Sequence, residues 1–133
     1  MVDQDPLPFW TQGRITLLGD AAHPMMPRGS NGAAQAIIDA TTLATLLASG
    51  GDALDALKQY EACRLKATAD VVLANRSMAP DGIISVVEQR TNGRPFQNIE
   101  DVISRDEMKA WQDRYREIAG FAVNGMKHEG RLQ

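Results

Sequence analysis

A chain of 133 residues, 44% apolar and 23% charged, is long enough for one domain with a buried core. Its net charge of −3 and aromatic content of 5% speak against non-specific nucleic-acid binding and base-stacking surfaces, so no nucleic-acid partner is expected. No apolar run reaches the ~20 residues of a membrane span, residues 1–10 lack a signal-peptide pattern, and Cys63 stands alone; a cytoplasmic chain without disulfide or membrane association is expected.

Residues 3–13, with Pro6, Pro8 and Gly13, read as an irregular lead-in. Residues 14–18, Arg-Ile-Thr-Leu-Leu, then read as the one convincing strand. A lone strand cannot satisfy its own backbone groups, so it needs a partner copy or neighbours outside the chain. A homo-oligomer is therefore expected. A loop over residues 19–32 leads into an alanine-rich helix over about 31–49, closed by Gly50 and Gly51. Apolar on most sides, that helix is expected to be buried on most sides.

Asp52 is a plausible N-cap for a second helix over about 53–78, with a stripe of Leu57, Tyr60, Ala67, Val71, Ala74 and Met78 that Arg64 interrupts. A short helical segment over about 83–89 follows. Ser104 and Glu107 have capping-box spacing and should start a last helix over about 105–119, with Trp111, Tyr115 and Ile118 on one face. The polar tail from Gly120 onward is expected to fray. The predicted fold is mainly α: one short strand near 14–18, then three or four helices.

The stretch from Gly19 to Ala40, GDAAHPMMPRGSNGAAQAIIDA, carries the chemistry. Gly19 and Asp20 stand at the end of the strand, where open α/β sheets bind ligands, and a short acid there accepts hydrogen bonds from a sugar-like hydroxyl. Pro24 and Pro27 hold the loop extended. Gly29 either lets backbone approach a ligand or takes a φ that other residues avoid. The helix start near Ser30 and Asn31 presents free N–H groups and a partial positive charge to an anion.

Gly19-Asp20-Ala21-Ala22-His23-Pro24, then Pro27-x-Gly29-x-Asn31-Gly32, then Gln35-Ala36-x-x-Asp39-Ala40 resembles the second flavin-binding motif of the single-component FAD-dependent aromatic hydroxylases, the para-hydroxybenzoate and salicylate hydroxylase-like monooxygenases. Tyr60-Glu61, Arg64 and Asn75-Arg76 extend the resemblance, and the tail is most similar to the phenazine-hydroxylase branch. The resemblance implies a C-terminal segment of an α/β FAD-binding fold. It also implies an oxidoreductase that takes electrons from NAD(P)H and uses O2 to hydroxylate an aromatic substrate.

By that resemblance, Gly19, Asp20, Ala21, Pro27, Gly29, Ser30, Asn31 and Gly32 bind FAD. Asp20 would hold the ribityl chain, the loop would run along the flavin ring, and the helix start would face its N1 and C2-carbonyl side. No Gly-x-Gly-x-x-Gly occurs in the chain, and Asp81-Gly82 stands in the wrong context for the family's central Asp-Gly motif. The N-terminal FAD-binding portion is thus the missing partner, and the fragment alone should hold FAD weakly or not at all and be inactive. The other reading is a non-catalytic helical interaction or assembly module derived from the same fold.

Competing chemistries are weaker. His23 and Asp20 are too few ligands for a protein-only zinc site. Ser30, His23 and Asp20 lack a nucleophile elbow, and the prolines between them oppose a hydrolase triad. No catalytic residue and no metal ligand is assigned; His23 reads as a residue that positions backbone. Met25 and Met26 are pocket or packing residues, and Arg28 is solvent-exposed or meets an anion. Asp39 and Arg64, each on an apolar helix, are expected to pair across the helix contact.

Overall fold

The computed structural model describes residues 3–77 and 79–120. A short antiparallel hairpin comes first: β1 (Thr11–Gln12) pairs with β2 (Ile15–Thr16), Thr11 opposite Thr16 and Gln12 opposite Ile15. Gly13, at φ +60°, supplies the left-handed residue that so tight a connection needs. The strand expected over residues 14–18 therefore shrinks to two residues, and its partner comes from the stretch expected to be irregular.

The reason lies in a distant side chain. Glu61 Oε2 accepts the backbone N–H groups of Trp10 (2.7 Å) and Thr11 (2.5 Å), and Leu17 N–H donates to the Trp10 carbonyl (3.1 Å). The lead-in is thereby fixed next to residues 15–17, and the strand's pairing does not call for a second copy.

Two 3-10 turns, Gly19–Ala21 and Pro27–Gly29, shape the loop that follows. Then come α1 (Gly32–Ala48), α2 (Ala53–Ser77), α3 (Gly82–Thr91), a 3-10 turn at Ile99–Asp101, and α4 (Arg105–Ile118). The chain is mainly helical. Gly50, at φ +81°, turns the chain after α1. Asp52 Oδ1 then accepts N–H groups of Leu54 (2.7 Å) and Asp55 (3.3 Å), capping α2.

Helices α1 and α2 pack as a hairpin, and α4 rests on α2. Trp10, Ala22 and Tyr60 form one buried cluster, supported by Leu7, Leu17, Leu43, Leu46 and Leu65. Trp10 sits between His23 and Tyr60, with ring centroids 5.7 Å from each. A second cluster joins Ala74, Tyr115, Ala119 and Ile118.

Two burial expectations are corrected. Helix α1 is not buried on most sides: Ile37 is 67% and Leu47 46% exposed, and Ala33, Ala40 and Ala44 are exposed with them. Only α2 and the turn at Gly19–Ala21 cover α1 extensively, so its far side has no neighbour among the described residues. On α2, Ala67 is exposed, whereas Arg64, Thr68 and Asn75 are buried. The rest of the expected stripe among the described residues, Leu57, Tyr60, Val71 and Ala74, is buried with them. Met78 and the tail beyond Gly120 lie outside the described residues.

The start of α4 is a capping box. Ser104 Oγ accepts the Glu107 N–H (3.2 Å), and the Glu107 carboxylate accepts the Ser104 N–H (3.3 Å). Hydrogen bonds from Arg90, then from the Ser104 N–H, hold the Glu107 carboxyl down at about 2. Ser104→Ala should cost about 1 kcal/mol in thermal or urea unfolding, because one first-turn N–H loses its acceptor. An unchanged midpoint would show that the cap contributes nothing.

Candidate functional site

The eight residues expected to bind cofactor lie on one continuous loop-to-helix path. Gly19, Asp20 and Ala21 form the first 3-10 turn; Pro27 and Gly29 belong to the second. Ser30 follows in the left-handed region at φ 54°, Asn31 occupies the N-cap position, and Gly32 is the first residue of α1. Asp20 is exposed, and its Oδ1 lies 3.8 Å from where a Cβ on Gly32 would stand. The first turn of α1 has no side-chain cap.

Asn31 has helical backbone (φ −99°, ψ −15°) rather than the extended backbone of a capping residue, and its side-chain amide is held by α4. Its Nδ2 donates to the Tyr115 hydroxyl (2.6 Å), which donates to Asn75 Oδ1 (2.5 Å). Asn75 Nδ2 in turn donates to the Met26 carbonyl (3.1 Å). Gly29 is glycine for a reason the sequence does not show. Its φ is not positive; a Cβ there would stand 1.5 Å from the Tyr115 hydroxyl oxygen. The unusual φ falls instead on Ser30.

A second buried network holds the other end of the loop. Asp39, fully buried, accepts hydrogen bonds from Gly19 N–H (3.2 Å), His23 Nε2 (2.6 Å) and Arg64 Nε (2.7 Å). A carboxylate only accepts, so His23 Nε2 carries the proton in this contact. His23 Nδ1 is buried without a partner among the described residues. Arg64 Nη2 donates to Gln35 Oε1 (2.6 Å), and Gln35 Nε2 donates to the Ala119 carbonyl (3.0 Å).

Burial alone would raise the Asp39 pKa. The hydrogen bonds from His23, Arg64 and Gly19 outweigh it and hold the carboxyl below its ordinary value. The expected Asp39–Arg64 pair forms. The position of His23 against Asp39 was not legible from the sequence, although the two lie sixteen residues apart in one motif.

The remaining motif residues have defined jobs. The Tyr60 hydroxyl donates to the Leu17 carbonyl (3.2 Å), just ahead of Gly19. Arg28 is not free for an anion. Its Nε meets the Asp81 carboxylate at 3.0 and 3.1 Å, and its Nη1 meets the carbonyls of Asn75 (3.4 Å) and Arg76 (3.1 Å). Arg76 binds Asp3 (2.9 Å) and Asp5 (2.7 Å). Met25 and Met26 are half-buried along the loop.

The loop is thus anchored at both ends by buried side chains, with an exposed acid near its start and an uncapped helix at its end. Comparison with known proteins gives it a family. The family model described as "FAD binding domain" matches residues 5–75, more than half of the chain, and the chain belongs to this FAD-dependent aromatic hydroxylase family.

Among similar proteins, phenazine 1,6-dicarboxylic acid hydroxylase of Lysobacter antibioticus is 58% identical over 76 residues, 57% of this chain and 19% of that protein. 3-Hydroxybenzoate 6-hydroxylase 1 of Aquipseudomonas alcaligenes is 50% identical over 76 residues, with the same coverages of 57% and 19%. 3-Amino-4-hydroxybenzoate 2-monooxygenase of Streptomyces cremeus is 44% identical over 88 residues, 62% of this chain and 22% of that protein. The chain thus spans about a fifth of the length of the curated relatives it matches. No solved structure matches significantly. No helix among the described residues is long and apolar enough to cross a membrane.

Proposed function

We propose that this chain supplies the flavin-facing half of an FAD site in a cytoplasmic monooxygenase that hydroxylates an aromatic substrate with NAD(P)H and O2. The observation that carries the reading is the uncapped start of α1 beside the exposed Asp20, with Gly32 leaving the approach free of a side chain. In this reading residues 19–32 form the flavin-facing loop. Asp20 accepts hydrogen bonds from the ribityl hydroxyls, and Pro27, Gly29 and Ser30 guide backbone along the ring.

The first N–H groups of α1 place a fixed partial positive charge where negative charge gathers on the ring. Such a pole is worth roughly 0.5–2 kcal/mol. FAD, when bound, supplies the redox and oxygen chemistry; the residues of this chain orient it and set its electrostatic surroundings. The 58% identity to a phenazine hydroxylase supports the phenazine branch.

The exposed apolar residues Phe9, Ile15, Ile37 and Leu47 fit surface covered by the nucleotide-gripping portion, the missing partner. The same exposure supports the second reading, a non-catalytic helical assembly module, and favours homo-oligomers of the isolated chain. Titration with FAD tests the first reading. The chain alone should remain colourless after gel filtration, because it holds one half of a two-part site. Near-stoichiometric yellow flavin on the purified chain would contradict this.

A further inference from the structure

Helix α4 lies beyond residues 5–75, yet it touches the loop at its most constrained point. Tyr115, 5% exposed, projects its hydroxyl over Gly29 so closely that no Cβ fits between them. The hydroxyl accepts from Asn31 and donates to Asn75, while Asn75 also donates to the Met26 carbonyl. One phenol therefore ties down both flanks of the second 3-10 turn. Inside that span Ser30 is held at φ 54°, a conformation costly for a residue other than glycine that persists only where surrounding contacts over-determine it. A packing anchor would need the ring alone. Here the hydroxyl is the hub.

We propose that Tyr115 is a positioning residue: through Asn31, Asn75 and Gly29 it sets the backbone path of residues 26–32, so that docking of α4 tunes the flavin-facing loop. The term flavin-facing rests on the proposed function; the positioning itself does not.

The test is amide exchange on the 133-residue chain carrying Tyr115→Phe, which keeps the ring and removes the hub. The reporter is the Ser30 amide, which donates to the Pro27 carbonyl at 3.1 Å. Its exchange should rise about tenfold, the equivalent of one lost hydrogen bond, while amides within α2 stay unchanged. Trp111→Phe is the control: it removes the bond from Trp111 Nε1 to the Ala79 carbonyl on the same helix and should leave Ser30 unchanged. If Tyr115→Phe does not fold, Asn31→Ala breaks the same link from the loop side and should give the same local rise.

No rise at Ser30, or an equal rise in the Trp111 variant, overturns the proposal. No flavin enters this measurement. A positive exchange result, beside a folded fusion of this chain to a nucleotide-binding portion that stays colourless with excess FAD, would therefore reject the flavin reading and keep the role of Tyr115.

Discussion

Asp39→Ala should lower the melting temperature by about 10–20 °C, equivalent to roughly 3–5 kcal/mol. The substitution leaves Arg64, 9% exposed, without its carboxylate, and it strips His23 Nε2 and the Gly19 N–H of their acceptor. Adding Arg64→Met to Asp39→Ala should recover part of the loss, since much of the penalty comes from the stranded charge. Equal stability of the single variant and the parent would refute the network's structural role.

The sign of the pH dependence follows from the same contacts. The folded-state pKa of Asp39 is depressed, so its contribution is present above the unfolded value of about 3.9. It is lost as the pH falls through the folded value. Parent stability should therefore decline in acid from below about pH 4, and the decline should be shallower in Asp39→Ala. Urea midpoints measured across that range read the difference.

Gly29→Ala should cost about 2–4 kcal/mol, while Gly32→Ala, three residues on, should be neutral or slightly stabilising. At Gly29 the new Cβ would stand 1.5 Å from the Tyr115 oxygen, 2.6 Å from its Cζ and 2.7 Å from Asn75 Oδ1. None of these atoms is a loose side-chain end, because Asn31 and Asn75 both hold the phenol. At Gly32 the nearest atom is Asp20 Oδ1 at 3.8 Å, and the backbone is already helical. Similar urea midpoints for the two variants would contradict the packing of α4 on the loop.

The parts of this fold legible in the sequence are those set by local chemistry. Ser104 and Glu107 announce their helix because both partners lie within one turn. Asp52 does the same for α2. The Asp39–Arg64 pair could be anticipated because a charge on an apolar helix needs a partner. What was not legible depends on residues far apart in the chain. Trp10 and Thr11 become ordered through Glu61, about fifty positions away, and this moves the strand pairing into the lead-in.

Gly29 owes its identity to Tyr115, and Asn31 gives its side chain to the same residue, 84 positions on, rather than to its own helix. The exposure of Ile37 departs from the apolar pattern of α1 for another reason: a helix apolar on all sides shows which faces ask for cover, not whether cover is present. The motif residues themselves form one path in space, because the two 3-10 turns and the start of α1 follow one another without a break.

The most direct measurement is flavin occupancy after completing the site. This chain should be fused behind a Gly-x-Gly-x-x-Gly nucleotide-binding portion from a full-length member of the family and purified with excess FAD. The expected result is a yellow protein with near-stoichiometric flavin, and loss of that flavin on Asp20→Ala. A folded but colourless fusion, or one that keeps its flavin without Asp20, would contradict it.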